Sequence, residues 1–329
     1  MVLAVLLLLL AAAPPALGAW YEDTQPIMGT RVHVELWHED AAVGARLVAE
    51  VMAEMRRVEQ TYSPYIDDSE LSRLNRDAPA GWVKVAPEFV DLLQRSRRVS
   101  ELTDGAFYIT YASVGRYYDY RSGVRPDDLQ LARAIEGIDY RYVEVDPAGQ
   151  RVRFARPEVY VDLGGIAKGY AVDRCVALLR RAGVSEGSVA AGGDSFVMGN
   201  RRGKPWMVGV RDPRNEHAMA VVLPLTDTAV STSGDYERFF EADGVRYHHI
   251  IDPTTGDSAR RSMSVTILGP DATFTDALST SVFVLGPKAG LDLINRLDGV
   301  DAIIIDATGH LSYSAALEAP PEHFPHATP

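Results

Sequence analysis

The residues most suited to chemistry stand in "VDLGGIAKGYAVD", Val161 to Asp173. Gly164 and Gly165 lack a Cβ, so backbone there can lie close against a ligand. A helix starting near Ala167 would turn its free N–H groups toward an anion, and Lys168 adds a point charge. Asp162 would repel that anion unless it meets a metal, a proton or a ligand N–H or O–H. Diphosphate beside a divalent cation satisfies all of these. The alternative is a glycine-rich strand-to-helix turn carrying a surface lysine. The pattern is neither a P-loop nor G-x-G-x-x-G.

A second candidate is "TFTDALSTSVF". Asp276 and Thr280 are four apart, so one helix face carries both. A carboxylate and a hydroxyl are hard oxygen ligands of the kind Mg²⁺ takes while leaving positions for phosphate. Ser279 could assist, and a capping Asp with a back-bonded Thr is the alternative. In "YHHIIDPTTG", His248 and His249 are adjacent in an expected strand, so only one can face a given site. Asp194 in "GGDSF" and Asp235 in "SGDYERF" read as tight-turn residues. The sole cysteine, Cys175, lies in an apolar-periodic segment and reads as a buried small residue, not a nucleophile.

The elements that would position these groups follow from periodicity. Val32, Val34 and Leu36 alternate as in a strand, and Val43, Leu47, Val51, Met55 and Val58 follow at helical spacing. Further helices are expected at Pro87–Leu102, from Asp127 to Gly137, from Ala167 to Gly183, at Asp271–Leu285 and near Leu291. A hairpin is expected around "PAGQ", and "EVYVDLGG" reads as a strand leading into the glycine turn. Short strands then succeed one another from Gly187 to Pro270, with a last one at "DAIIID". Strands joined by short turns, with helices set apart, indicate an α+β fold with largely antiparallel sheets and flanking helices.

The chain has 329 residues, with 33 Lys and Arg against 45 Asp and Glu, a formal charge of −12. No basic block is present, which argues against nucleic acid as a partner. Residues 1–18 read as a signal peptide: an apolar run from Val2 to Ala13, then "ALG" as a cleavage site before Ala19. The expected product is exported, periplasmic and soluble after cleavage; a retained N-terminal anchor is the alternative. One domain is expected over 19–314, with a loose tail over 315–329.

Taken in order, "MGT", "SPY", "SELSRLN", "DGAF", "DLGGIAKGYAVD", "GGD", "TSGDYER", "HHIIDPTTG" and "DALST" resemble the ApbE family of FAD:protein FMN transferases, from about Pro26 to Ile305. The resemblance implies a T-fold-like architecture of duplicated halves. It implies an enzyme that takes FAD as substrate with Mg²⁺ as cofactor, moves FMN to a threonine hydroxyl of a target protein and releases AMP. The implied partners are acceptor subunits of membrane or exported redox complexes carrying a threonine flavinylation motif. By motif position, Met28, Tyr65, Ala106, Phe107, Tyr108, Asp162, Lys168 and Ile250 would bind FAD. Gly165, Asp276 and Thr280 would hold Mg²⁺, and Asp162, Lys168 and His249 would be catalytic. The family's usual Asp after "GAF" is replaced by Tyr108, which could stack on a ring instead. No lipid-bearing cysteine follows the leader. The acceptor's proton would go to His249 or Asp162. A hydrolase yielding FMN and AMP, or a non-enzymatic FAD carrier, are the rival functions.

Overall fold

The computed structural model describes residues 18–318, with side chains to 317. The leader reading therefore lies, but for Gly18, outside the described residues. So does most of the tail reading, although Ala315–Glu318 forms a helical turn.

Eight strands form the main sheet: β1 (Ala19–Ile27), β2 (Thr30–His38), β3 (Gly187–Ala191), β4 (Asp194–Met198), β5 (Thr228–Gly234), β6 (Ser262–Gly269), β7 (Asp301–Asp306) and β8 (Leu311–Tyr313). They lie side by side in chain order, every pair antiparallel. The helices that bear on function are α1 (Ala41–Tyr62), α2 (Glu70–Asp77), α3 (Pro87–Leu102), α4 (Ala167–Arg181), α5 (Ala272–Leu285) and α6 (Pro287–Ile294). Two halves are thus built alike. In one, β1 and β2 lead through helices to β3 and β4; in the other, β5 and β6 lead through α5 and α6 to β7 and β8. The β4–β5 pairing joins them. The expected α+β fold of duplicated halves is what the chain adopts.

One apolar cluster packs α1, α3 and α4 on the first half, through Leu47, Met55, Phe89, Leu92 and Cys175. A second packs α5 and α6 on β6 and β7, through Val265, Ile267, Val282, Phe283 and Ile304. Burial drives the Cys175 thiol pKa far up, so it stays an inert core group.

Hairpin turns close one end of the sheet. Met28 and Gly29 have φ of 56° and 66° and join Ile27 to Thr30, the left-handed pair a two-residue hairpin requires. Methionine tolerates this poorly, and its N–H is held by Glu59 at 2.7 Å. Gly192 and Gly193 join β3 to β4 alongside, with Gly192 packed on Thr30.

The structure differs from expectation in several elements. Residues 159–163 form no strand and join no ladder. The Asn75 side chain brackets the Val161 N–H and C=O at 2.8 Å each, and Ile109 accepts the Asp162 N–H. A side-chain amide replaces a neighbouring strand. Strand β1 and helix α2, capped by Ser69, were not signalled by periodicity. No helix among the described residues is long and apolar enough to cross a membrane.

Candidate functional site

The glycine turn lies where the two halves meet, because α4 and α5 are locked together along it. A Cβ on Gly169 would sit 2.0 Å from the Ala272 carbonyl and 2.8 Å from Asp276 Cβ, so only glycine allows this approach. The Gly169 N–H donates to Asp276 Oδ2 at 2.9 Å. Further along α4, Asp173 accepts the Ala272 and Thr273 N–H groups at 2.9 and 2.8 Å, capping α5 from a neighbouring helix.

This contact brings the two sequence motifs into one cluster. Lys168 Nζ lies 2.7 Å from Asp194 Oδ2 and 3.6 Å from Asp276 Oδ1, and donates to the Gly164 carbonyl at 3.2 Å. Thr280 shares the Asp276 face, its Oγ1 3.3 Å from Ser233 Oγ. A Cβ on Gly165 would lie 3.4 Å from Thr280 Oγ1 and 3.3 Å from Phe107, so that backbone presses directly against both. Ser279 is engaged elsewhere, donating to the Asp276 carbonyl and bonding Ser233. Asp162 turns back on the loop and accepts the Gly164 N–H at 2.6 Å.

The electrostatics follow from burial. Asp276 is 2% exposed, and desolvation with the nearby Asp194 charge raises its pKa to about 7, against the pull of Lys168 and the Gly169 N–H. Burial alone would favour neutral Lys168, but Asp194 and Asp276 outweigh it and hold its pKa up. Burial also raises Asp162, opposed by the Gly164 N–H and the Tyr111 hydroxyl. A buried carboxylate so poorly compensated, with a hydroxyl one helical turn away and bare backbone opposite, is a donor set that suits a hard dication. Asp276, Thr280 and Gly165 are the residues that could hold it.

The expected strand covers Val245–His248 only, so His249 lies beyond its end and alternation across a strand does not apply to the pair. His248 is buried, Nε2 2.7 Å from the Ala259 carbonyl. His249 is half-buried, and its Nδ1 has no partner among the described residues. Burial, then the Arg238 and Lys168 charges, lower its pKa to about 3, so the ring is neutral. Ile250 is core, and its carbonyl accepts from Ala259.

The Tyr108 ring packs on Tyr140 at 5.6 Å, among Asp139, Arg141 and Asp104. Of its neighbours, Ala106 belongs to the second core cluster, and only Phe107 reaches the glycine turn. The α4 N–H groups are not all free, since Ala167 donates to the Leu163 carbonyl and Gly169 to Asp276. Tyr65 is 82% exposed, in reach of the Asp162 and Arg238 charges, as an open stacking surface would be. Met28 borders the same region through Gly29, whose Cβ would lie 3.3 Å from the Arg238 guanidinium.

Sequence reasoning missed Asp194, which looked like a turn residue and is the partner of Lys168. It also missed the roles of Gly169 and Asp173. A groove of about 700 Å³ lined by Trp20, Gln25, Met52 and Arg56 shares no residue with the cluster, and the chemistry stays with the charged residues.

A family model described as the ApbE family matches residues 28–304. FAD:protein FMN transferase of Treponema pallidum is 34% identical over 316 residues, covering 90% of this chain and 87% of that one. Its counterpart from Vibrio cholerae is 33% identical over 299 residues, covering 88% of each. Among solved structures, the ApbE protein of Thermotoga maritima superposes with a TM-score of 0.84 at 34% identity, covering 91% of this chain and 98% of that one. The flavin transferase ApbE from Vibrio cholerae gives 0.80 at 28% identity, covering 92% and 99%.

Proposed function

This chain belongs to the ApbE family, and from that premise we propose how it works as a FAD:protein FMN transferase: with Mg²⁺ it moves the FMN half of FAD to a threonine hydroxyl of an acceptor subunit and releases AMP. The threonine Oγ attacks the FMN phosphorus, the bond to the bridging oxygen breaks, and AMP leaves with that oxygen. Mg²⁺, when bound by Asp276, Thr280 and the Gly165 backbone, supplies positive charge to the diphosphate.

The chain's own groups do the rest. Gly164 and Gly165 leave room for the bridge to lie on backbone. Lys168, fixed by Asp194, stabilises charge growing on the leaving phosphate. The hydroxyl proton goes to His249 or Asp162: the His249 ring is neutral with a buried, unpartnered Nδ1, and Asp162 is a carboxyl in the glycine turn itself that accepts from Gly164. Tyr65 offers the flavin an exposed face, and Met28 borders the site at the hairpin turn.

The observation that carries the reading is the convergence of Lys168, Asp194, Asp276 and Thr280 on the Gly164–Gly165 turn. A non-enzymatic carrier would need the turn but not the Asp276–Thr280 pair. Acceptors are proposed among subunits of membrane or exported redox complexes, consistent with the export leader read over residues 1–18. The test incubates the mature chain with FAD, Mg²⁺ and a candidate flavoprotein subunit. Gain of one FMN mass on a threonine, with AMP in equal amount, is expected. Free FMN formed at the same rate without acceptor would make the enzyme a hydrolase instead.

A further inference from the structure

Arg238 ends the "TSGDYER" run on the segment after β5. Three other arginines of this region are paired: Arg211 with Glu237, Arg214 bidentately with Asp235, and Arg246 with Asp235 and Glu241. Among the described residues, Arg238 has no carboxylate within ion-pair distance and no hydrogen-bond acceptor for its guanidinium. Its neighbours are nonetheless defined. Its carbonyl accepts the His249 N–H at 3.2 Å, and its Nη2 lies against Gly29, where a Cβ would come to 3.3 Å. Its charge is felt by Asp162, Lys168, His249 and Tyr65. An unpaired guanidinium whose charge reaches Lys168 is an arrangement that an anion between them would relieve.

We propose that Arg238 is a second phosphate-positioning cation of this site, binding an oxygen of the FAD diphosphate across from Lys168. The inference rests on the FAD reading above and adds a residue to it. A guanidinium fork matches phosphate geometry, and the carboxylates nearby are already committed or reserved: Asp194 to Lys168, Asp235 to Arg214, Asp276 to Gly169 and the dication. The Met28–Gly29 turn gains a second purpose here. A side chain at Gly29 would crowd the guanidinium, and φ of 66° disfavours one in any case.

The test compares the full chain with Arg238→Ala and Arg238→Gln, reading FAD affinity by flavin fluorescence and the KM-against-kcat split in transfer. Arg238 is exposed, so both variants should melt like the parent chain. A charge-assisted hydrogen bond to phosphate predicts FAD affinity about 10- to 100-fold weaker in both variants, with KM raised more than kcat is lowered. Glutamine keeps the stem and a neutral amide but not the charge. Parental affinity in either variant overturns the proposal, because stem packing or nothing at all would then account for the residue. Binding needs no acceptor protein. A parent chain that transfers nothing, while both variants lose FAD affinity, would sink the transferase reading and leave this one standing; normal transfer at normal KM in the variants would do the reverse.

Discussion

The Gly169 N–H donates to the Asp276 carboxylate at 2.9 Å, and no side chain fits between α4 and α5 where it does so. One glycine therefore sets the distance between the lysine-bearing turn and the Asp276–Thr280 face. In an ordinary helix, Gly→Ala gains about 1 kcal/mol. Here the methyl would meet the Ala272 carbonyl at 2.0 Å, and backbone cannot move aside cheaply. Gly169→Ala should lower the melting temperature and cut transfer at least tenfold. A variant that melts at or above the parent would show that the helices are not locked at this point.

Asp276 separates metal binding from substrate binding. Asp276→Asn keeps an oxygen to accept the Gly169 N–H and removes a buried charge. The variant should fold at least as well as the parent in metal-free buffer. It should still quench flavin fluorescence on binding FAD, yet lose Mg²⁺-dependent transfer by at least about a hundredfold. Titration of activity with Mg²⁺ checks this. An unchanged Mg²⁺ dependence would move the dication elsewhere.

Lys168 has a structural burden besides its chemical one. It is the cation opposite Asp194 and Asp276, which are almost wholly buried. Lys168→Met strands those charges, and breaking such a pair costs about 3–5 kcal/mol. Lys168→Met with Asp194→Asn should recover much of that stability and none of the activity. Denaturant midpoints of the parent chain and the single and double variants give the coupling. Additive losses would mean the ion pair is not the link between the two residues.

What could be read in the sequence was local. Asp276 and Thr280 share a face because a helix repeats every 3.6 residues, and strands in close succession force antiparallel pairing. What could not be read depends on partners remote in the chain. Asp194 follows two glycines as any turn residue might, and only the fold brings it to Lys168. Asp173 looks like a surface acid on α4 but caps α5, almost a hundred positions away. "EVYVDLGG" has strand periodicity, and nothing local says that Asn75 will take its hydrogen bonds. Tyr108 stands where the family usually has an Asp, and its ring packs on Tyr140, a partner more than thirty positions on that no local pattern announces.

The histidine pair should be visible in the acid limb of stability. Desolvation lowers the pKa of His248, and His249 is lowered to about 3. The unfolded chain takes up protons near the ordinary value of about 6.5 while the folded chain does not. Their stabilisation is thus complete above that pH and is lost as pH falls below it, by up to about 1.4 kcal/mol per pH unit for each ring. Asp276, raised to about 7, and Asp173, raised to about 6, act with the opposite sign over the same range, since the folded chain holds their protons longer. The sum could be nearly flat, so the informative quantity is a difference. His248→Gln keeps an N–H for the Ala259 carbonyl but cannot take a proton. Plotted against pH from 8 to 5, the parent's stability minus the variant's should be level at the alkaline end and decline below about 6.5. A difference that stays level to pH 5 would mean that His248 accepts a proton in the folded protein as readily as in water, and its burial against the Ala259 carbonyl would be wrong.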